Sequence, residues 1–253
     1  MGRIIAFANQ KGGVGKTTSA VNTAASLGFL GYDTLLIDLD PQGSATSGVG
    51  IRKKGLRFTV RDVLVGGCRA EDAVCPTAFK KLDIIPANIS LAGAEFDLLR
   101  GEGDEAHLKD ALSDLRYRYD YIIIDCPPSL GMLTINALTA SDGLVIPMQC
   151  EYYALEGLSQ LSTTVGHIKK RYNPRLALTG ILLTMHNPRL ALTGEVKAEL
   201  ERHYGDRVFA TTIGRNVRLC EAPSFGKPIL YHDKRAKGAA DYLQFAKELH
   251  DRP

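Results

Sequence analysis

Hydrophobic residues in this chain gather in short, nearly unbroken apolar runs, separated by longer stretches with helical spacing. Runs at residues 4–8, 34–38, 82–86, 121–125, 144–147, 179–184 and 208–213 predict strands. They are mostly continuous, not alternating, which is the pattern of strands covered on both faces of a parallel sheet. Helical patterns lie near 17–30, 105–118, 133–140, 155–172, 195–204 and 237–250. The alternation predicts an α/β fold, a doubly wound, mostly parallel sheet with helices on both faces. No Pro/Gly/Ser-rich linker or break in composition interrupts residues 1–253, which predicts one domain. The polar stretch 101–105 and the turn at Gly66 and Gly67 mark surface connections. One octapeptide, Asn-Pro-Arg-Leu-Ala-Leu-Thr-Gly, occurs at 173–180 and again at 187–194. Its spacing is too short for a solenoid unit, so it reads as a chance or local duplication.

Composition narrows the class. The chain has 253 residues, 45% of them hydrophobic, enough for a sizeable core. A net charge of +3 excludes a uniformly basic coat. The charge is uneven, however. Residues 1–168 hold 15 Lys+Arg against 19 Asp+Glu, and residues 169–253 hold 16 against 9. The basic C-terminal third suggests a face for a polyanion. Five cysteines, at 68, 75, 126, 150 and 220, show no C-x-x-C spacing, so neither a disulfide framework nor a zinc module is expected. No apolar run nears the ~18 residues needed to span a bilayer, and no signal peptide leads the chain. A cytoplasmic protein is the expectation.

The densest chemistry is Lys11-Gly12-Gly13-Val14-Gly15-Lys16-Thr17-Thr18, between a predicted strand and a predicted helix. The glycines let backbone N–H groups turn toward phosphate oxygens, and the helix N-terminus favours an anion. Lys16 can reach β/γ-phosphates, and the Thr17 hydroxyl can ligate Mg²⁺. Where an ordinary P-loop begins with Gly, this chain has Gln10, followed by the additional cation Lys11. Downstream, Asp38-Leu39-Asp40-Pro41-Gln42-Gly43 ends an apolar strand with two carboxylates, suited to supporting a metal and orienting water. Asp125 ends another apolar run in the manner of a Walker B acid.

These motifs resemble the deviant Walker A form of the ParA/MinD superfamily of P-loop ATPases. Cys150-Glu151-Tyr152-Tyr153-Ala154-Leu155-Glu156-Gly157 and Arg215-Asn216-Val217-Arg218-Leu219-Cys220-Glu221-Ala222-Pro223-Ser224 are similar to segments of its Soj/ParA branch. The resemblance runs from residue 3 to about residue 249. It implies a DNA-segregation ATPase that uses ATP and Mg²⁺. Such a protein would form a nucleotide-sandwich homodimer with ATP, bind double-stranded DNA without sequence preference, and release it after hydrolysis stimulated by a ParB-type partner. It implies a nucleoid-associated protein in the cytoplasm, with no membrane partner.

By the same resemblance, Lys11 reaches the partner subunit's nucleotide, Lys16 and Thr17 serve phosphate and Mg²⁺, and Asp40 positions the hydrolytic water. Lys11, Lys16 and Asp40 form the catalytic set. Thr17, Asp38 and Asp125 support the metal. Gly12, Gly13, Val14, Gly15 and Thr18 complete the nucleotide loop, and Asn216 lies on the adenine side. Arg189 and Arg218 match DNA-binding positions. Arg218 ranks above Arg189, whose surroundings are the repeated octapeptide in place of the family's Asp-x-Arg-Thr-Asn-Leu. Gly214 replaces the family's Pro before Arg-Asn, which is expected to loosen the backbone there. The alternatives are a MinD-like membrane-surface ATPase, which needs a C-terminal amphipathic helix, and a metabolic enzyme on the same fold. The C-terminal residues suit core packing, and Cys126 and Cys150 lack the contexts of an iron–sulfur protein.

Overall fold

The computed structural model describes residues 1–98, 104–151 and 154–252. Residues 101–103 of the polar connection and Tyr152 and Tyr153 of the Cys150-Glu151 segment lie outside the described residues. The strands are β1 (Arg3–Phe7), β2 (Thr34–Asp38), β3 (Cys75–Pro76), β4 (Leu82–Ile85), β5 (Tyr121–Asp125), β6 (Gly143–Gln149) and β7 (Ala177–Thr184). They form one sheet in the order β3-β4-β2-β5-β1-β6-β7. Every pairing is parallel except that of β3, a two-residue antiparallel edge on β4.

The period of two explains the layering. Ile4, Ala6, Leu35, Ile37, Ile122 and Ile124 join one buried cluster, and Ile5, Phe7, Leu36, Ile123 and Val145 join the other. Successive side chains leave opposite faces of a strand, so two hydrophobic layers need two coats of helix. The helices are α1 (Lys16–Leu30), α2 (Ser44–Gly48), α3 (Val60–Leu64), α4 (Leu91–Leu98), α5 (His107–Ala111), α6 (Met132–Ala140), α7 (Ala154–Arg171), α8 (Ala191–Tyr204), α9 (Val217–Glu221), α10 (Ile229–His232) and α11 (Lys237–Asp251). α1, α10 and α11 contribute to the second cluster, and α6 and α8 to the first. The apolar face of α11 is consumed here. Ala239, Tyr242, Phe245, Ala246 and Leu249 are all buried, and Tyr242 Oη shares a 3.0 Å hydrogen bond with Ser19 in the first turns of α1.

Two expectations fail for identifiable reasons. The apolar run 208–213 does not form a strand; only the isolated bridges Ile181–Val208 and His186–Gly214 occur. Phe209 and Ile213 donate to β7 carbonyls, but the intervening N–H groups of Ala210 and Thr211 donate to the Glu248 carboxylate at 2.7 and 2.8 Å. A side chain from α11 thus interrupts the ladder. The helix expected at 105–118 breaks into α5 flanked by 3₁₀ turns Asp104–Ala106 and Leu115–Tyr117. The second turn is anchored elsewhere. The Arg116 carbonyl accepts from Gly2 N–H, and its guanidinium pairs with Asp142 at 2.5 Å.

The octapeptide gives a direct comparison of context. Both copies begin with the same turn, Leu176 N–H to the Asn173 carbonyl at 3.1 Å and Leu190 N–H to the Asn187 carbonyl at 3.2 Å. Ala177-Leu178-Thr179-Gly180 then enters β7, whereas Ala191-Leu192-Thr193-Gly194 opens α8. The first copy lies against β6 and the second does not, so pairing decides between the two.

Candidate functional site

The parallel strands end at one edge of the sheet, where open α/β folds bind ligands. β1 there runs into the loop at 9–15. Gly13 (φ 72°) and Gly15 (φ 84°) adopt left-handed conformations open to glycine. The loop is braced from outside. The Gln149 side chain donates to the Gly13 carbonyl (2.8 Å), Thr184 Oγ1 donates to the Val14 carbonyl (2.8 Å), and Asn9 Oδ1 accepts Lys11 N–H (3.0 Å). Val14 is buried, so it anchors the loop and does not face a ligand. The N–H groups of Gly12, Gly13, Gly15, Lys16, Thr17 and Thr18 have no acceptor among the described residues, while buried Val14 closes the turn at Gly12 and Gly13. Six donors, from the loop and the first turn of a 15-residue helix, make a cradle for an oxyanion.

Lys16 is buried beside this cradle, and its Nζ donates to the Lys11 carbonyl at 3.0 Å. Burial lowers its pKa, opposed chiefly by the Asp125 charge. Gly12, Gly13, Gly15, Lys16, Thr17, Thr18 and Asp40 line one cavity of 280 Å³. The structure therefore brings the phosphate-loop residues and the proposed water-positioning carboxylate together. Lys11 is half-buried and is paired with Glu151 of its own chain.

The two strand-end carboxylates divide their work. Asp38 and Asp125 are direct neighbours across β2 and β5, and both are fully buried. Asp38 Oδ2 accepts both the N–H and the hydroxyl of Thr46 at 2.7 Å, and its Oδ1 accepts Asp40 N–H at 3.2 Å. Thr46 Oγ1 also accepts Ala87 N–H at 2.9 Å, tying the ends of β2 and β4 together. Burial pushes the Asp38 carboxyl up to about 6, with these bonds opposing it. Asp125 has neither oxygen hydrogen-bonded; the Thr17 hydroxyl lies close but outside bonding geometry. Burial first, then the Asp38 charge, raises its pKa well above the ordinary range. An orphaned buried carboxylate beside a threonine hydroxyl fits a hard divalent cation, whose ligands are oxygens. Asp38, already committed to Thr46 and Asp40, fits a supporting role. Gly43 completes this loop at φ 63°, where a Cβ would meet the Ala87 carbonyl at 2.8 Å.

A cavity of 580 Å³ continues from Gly15 and Thr18 toward Asn216, with Thr184, Met185, Gly214 and Tyr242 in its wall. Its walls are largely apolar, as suits a planar base. Asn216 caps α9, its Oδ1 accepting Arg218 N–H at 2.9 Å. Met185, a non-glycine residue at φ 49°, marks local strain. Gly214 is not loosened. Its N–H donates to Asp241 at 3.3 Å and it bridges His186. The two marked arginines differ. Arg218 pairs with Glu221 at 2.9 Å and with Asp233 at 3.7 Å, whereas exposed Arg189 forms no ion pair among the described residues.

Sequence reasoning missed Thr46, Gln149, Thr184 and Tyr242, and it did not pair Lys11 with Glu151. A signal existed for two of these. Gln149 and Thr184 are the polar residues that end the apolar runs of β6 and β7, at the ligand end of the sheet.

A family model described as an AAA domain matches residues 2–178. The sporulation initiation inhibitor protein Soj of Bacillus subtilis is 55% identical over 249 residues, covering 98% of each chain. The chromosome partitioning protein ParA of Myxococcus xanthus is 49% identical over 98% of this chain and 88% of its own. Among solved structures, cobyrinic acid a,c-diamide synthase from Mycobacterium smegmatis, with bound ATP analog and magnesium, superposes with a TM-score of 0.86. It is 38% identical, covering 98% of this chain and 93% of that one.

Proposed function

The chain belongs to the Soj/ParA family of chromosome-partitioning proteins, within the ParA/MinD-type P-loop ATPases, and from that premise we propose that it is an Mg²⁺-dependent ATPase that segregates a chromosome or plasmid. The observation that carries the ATPase reading is the cradle of six unpaired N–H groups beside the orphaned Asp125. In this reading the cradle and Lys16 hold the β- and γ-phosphates, and the base enters the cavity beside Asn216. Asp125 and Thr17 hold the Mg²⁺, with Asp38 fixing the loop behind them. When bound, the metal neutralises charge developing on the transferred phosphoryl group. Asp40, half-exposed in the phosphate cavity, accepts Gln42 N–H at 2.9 Å through Oδ1, which leaves its second oxygen to orient water.

ATP drives face-to-face dimerisation, in which Lys11 leaves Glu151 for the partner's phosphates. The dimer doubles the cations presented to DNA, so nucleotide controls DNA binding through valency. Hydrolysis, stimulated by a ParB-type partner, returns monomers and releases DNA. Arg189 and Arg218 contribute phosphate contacts, and the protein is nucleoid-associated.

The identity of 55% and 49% to partitioning proteins across 98% of the chain outweighs the 38% identity to the amide synthase. Against a membrane-surface protein stands α11, whose apolar face is already buried; in addition, no described helix is long and apolar enough to cross a membrane. The test is DNA binding with ATP, with ADP and without nucleotide, alongside oligomer size. Dimerisation and DNA binding only with ATP is the expected result. DNA binding by a monomer regardless of nucleotide would refute the switch.

A further inference from the structure

Residues 51–57 read Ile-Arg-Lys-Lys-Gly-Leu-Arg, four cations and no acid in seven residues, inside an N-terminal region that is otherwise acidic. They form the connection from α2 to α3. Arg52, Lys53, Lys54 and Arg57 are all exposed, while Ile51, Leu56 and Phe58 are half-buried. Ile51 and Phe58 pack against the two core clusters, one on each side of the sheet. None of the four cations forms an ion pair among the described residues. Arg57 lies 5.1 Å over the Phe58 ring, and Lys53 Nζ donates to the Gln42 carbonyl at 2.7 Å. Gly50 (φ 78°) and Gly55 (φ 82°) set the turns, and Ile51 N–H is fixed on the Thr46 carbonyl at 3.1 Å. The loop is thus held at both ends with its charges outward.

Its base touches the C-terminal third. Gly50 and Gly226 meet backbone to backbone, so closely that a Cβ on Gly226 would stand 2.8 Å from Gly50 Cα. Exposed Lys227 follows directly. The loop's isolated positive charge therefore adjoins the basic third and extends it across the chain.

We propose that the loop at 52–57 is a second DNA-contact surface, gripping the phosphate backbone of a duplex without reading its sequence. This rests on the reading that the ATP-bound protein binds DNA. The chemistry favours a polyphosphate over a bilayer. Unpaired Lys and Arg gain free energy by releasing condensed counterions from DNA. A membrane-inserting loop needs exposed apolar side chains, and Ile51, Leu56 and Phe58 of this loop are half-buried, two of them packed on the core. An acidic protein segment would face the same cations, but continuity with the basic third favours a long polyanion spanning both regions.

The test uses the full chain with Arg52→Gln, Lys54→Gln and Arg57→Gln combined. Lys53 is left in place because it holds the loop bearing Asp40. Binding of two unrelated duplexes is measured with ATP over a range of salt, and binding to phosphatidylserine vesicles in parallel. Removing one phosphate contact flattens the slope of log K against log salt by about 0.9 and weakens binding about eightfold at 0.1 M salt. At least one such contact per subunit, hence two per ATP dimer, should disappear in the triple variant. The expected result is therefore binding weakened about 60-fold, equally for both duplexes, with ATPase unchanged in the absence of DNA. Arg52→Gln with Lys54→Gln, which keeps the Arg57–Phe58 contact, is expected to give most of the effect. Wild-type affinity and slope in the triple variant would overturn the inference, as would loss of vesicle binding with DNA binding intact. If the wild type itself fails to bind duplex with ATP, the DNA reading falls and this inference with it.

Discussion

Replacing Asp125 with Asn is expected to stabilise the protein when metal and nucleotide are withheld, and to weaken it when they are supplied. The substitution keeps shape and removes a charge that has no hydrogen bond. Its magnitude follows from the neighbour. Asp38, with three hydrogen bonds to its carboxylate, is still pushed from 3.8 to about 6. That rise corresponds to roughly 3 kcal/mol against ionisation. Asp125 shares that burial and faces the Asp38 charge without the compensating bonds, so its ionisation costs a comparable amount or more. The asparagine amide, also unpartnered, gives back about 1–3 kcal/mol. The net gain at pH 8 in chelator is therefore about 0–2 kcal/mol, which raises Tm by up to about 8 °C for a chain of this size. The sign is fixed by linkage. A carboxyl whose folded pKa lies above its unfolded value supports stability at low pH and loses that contribution as pH rises through the folded pKa. The wild type thus falls in stability from about pH 4 upward, and the variant falls less. Thermal denaturation at pH 5 and pH 8, in EDTA and in Mg-ATP, reads this directly. The advantage should grow with pH in EDTA and reverse with Mg-ATP. A variant equally destabilised at both pH values in EDTA would refute the reading of Asp125 as an unsatisfied charge.

Lys16→Ala removes a charged donor at the phosphate cradle and is expected to weaken ATP binding by about 10- to 150-fold in calorimetry; unchanged affinity would refute the phosphate assignment. Asp40→Ala should bind ATP and dimerise normally but turn over slowly, leaving an ATP dimer on DNA, and failure to dimerise would make Asp40 structural. Lys11→Ala should bind ATP and remain monomeric by light scattering, whereas Glu151→Gln, which removes one half-exposed pair worth about 0–1 kcal/mol from each subunit, should tighten the ATP dimer by at most about 30-fold; a normal dimer in Lys11→Ala removes the role in trans. Arg189→Ala should cost at least as much DNA affinity as Arg218→Ala, since Arg218 is already paired with Glu221 and Asp233. This reverses the order that sequence similarity gives, and a larger loss at Arg218 would mean its ion pairs open on DNA.

What was legible in the sequence was what short-range pattern can encode. β1, β2 and β5 lie within a residue of the apolar runs because both of their faces are buried, so no polar residue interrupts their interiors; β4 does so as well, although half-buried Asp83 stands inside it. The phosphate loop was legible because its donors belong to consecutive residues. Legibility failed where a distant group decides. Residues 208–213 have the composition of a strand, and only Glu248, some 37 residues later, takes the N–H groups a strand would need. The octapeptide is the limiting case, since one sequence gives a strand and a helix. The braces of the site fail likewise. Gln149 reaches Gly13 and Thr184 reaches Val14 across 136 and 170 residues.

The groups left unsatisfied around the site are not equally costly, and the difference says where binding energy is stored. Gly12 and Gly13 are exposed and Thr17 and Thr18 half-exposed, so water can reach much of the N–H cradle. Phosphate there exchanges one set of hydrogen bonds for another, with a modest net gain per bond. Asp125 is fully buried and has no such exchange. Its charge is opposed by burial and by Asp38, and the Thr17 hydroxyl and Lys16 only partly offset them. A divalent ion beside Thr17 would relieve both carboxylates at once.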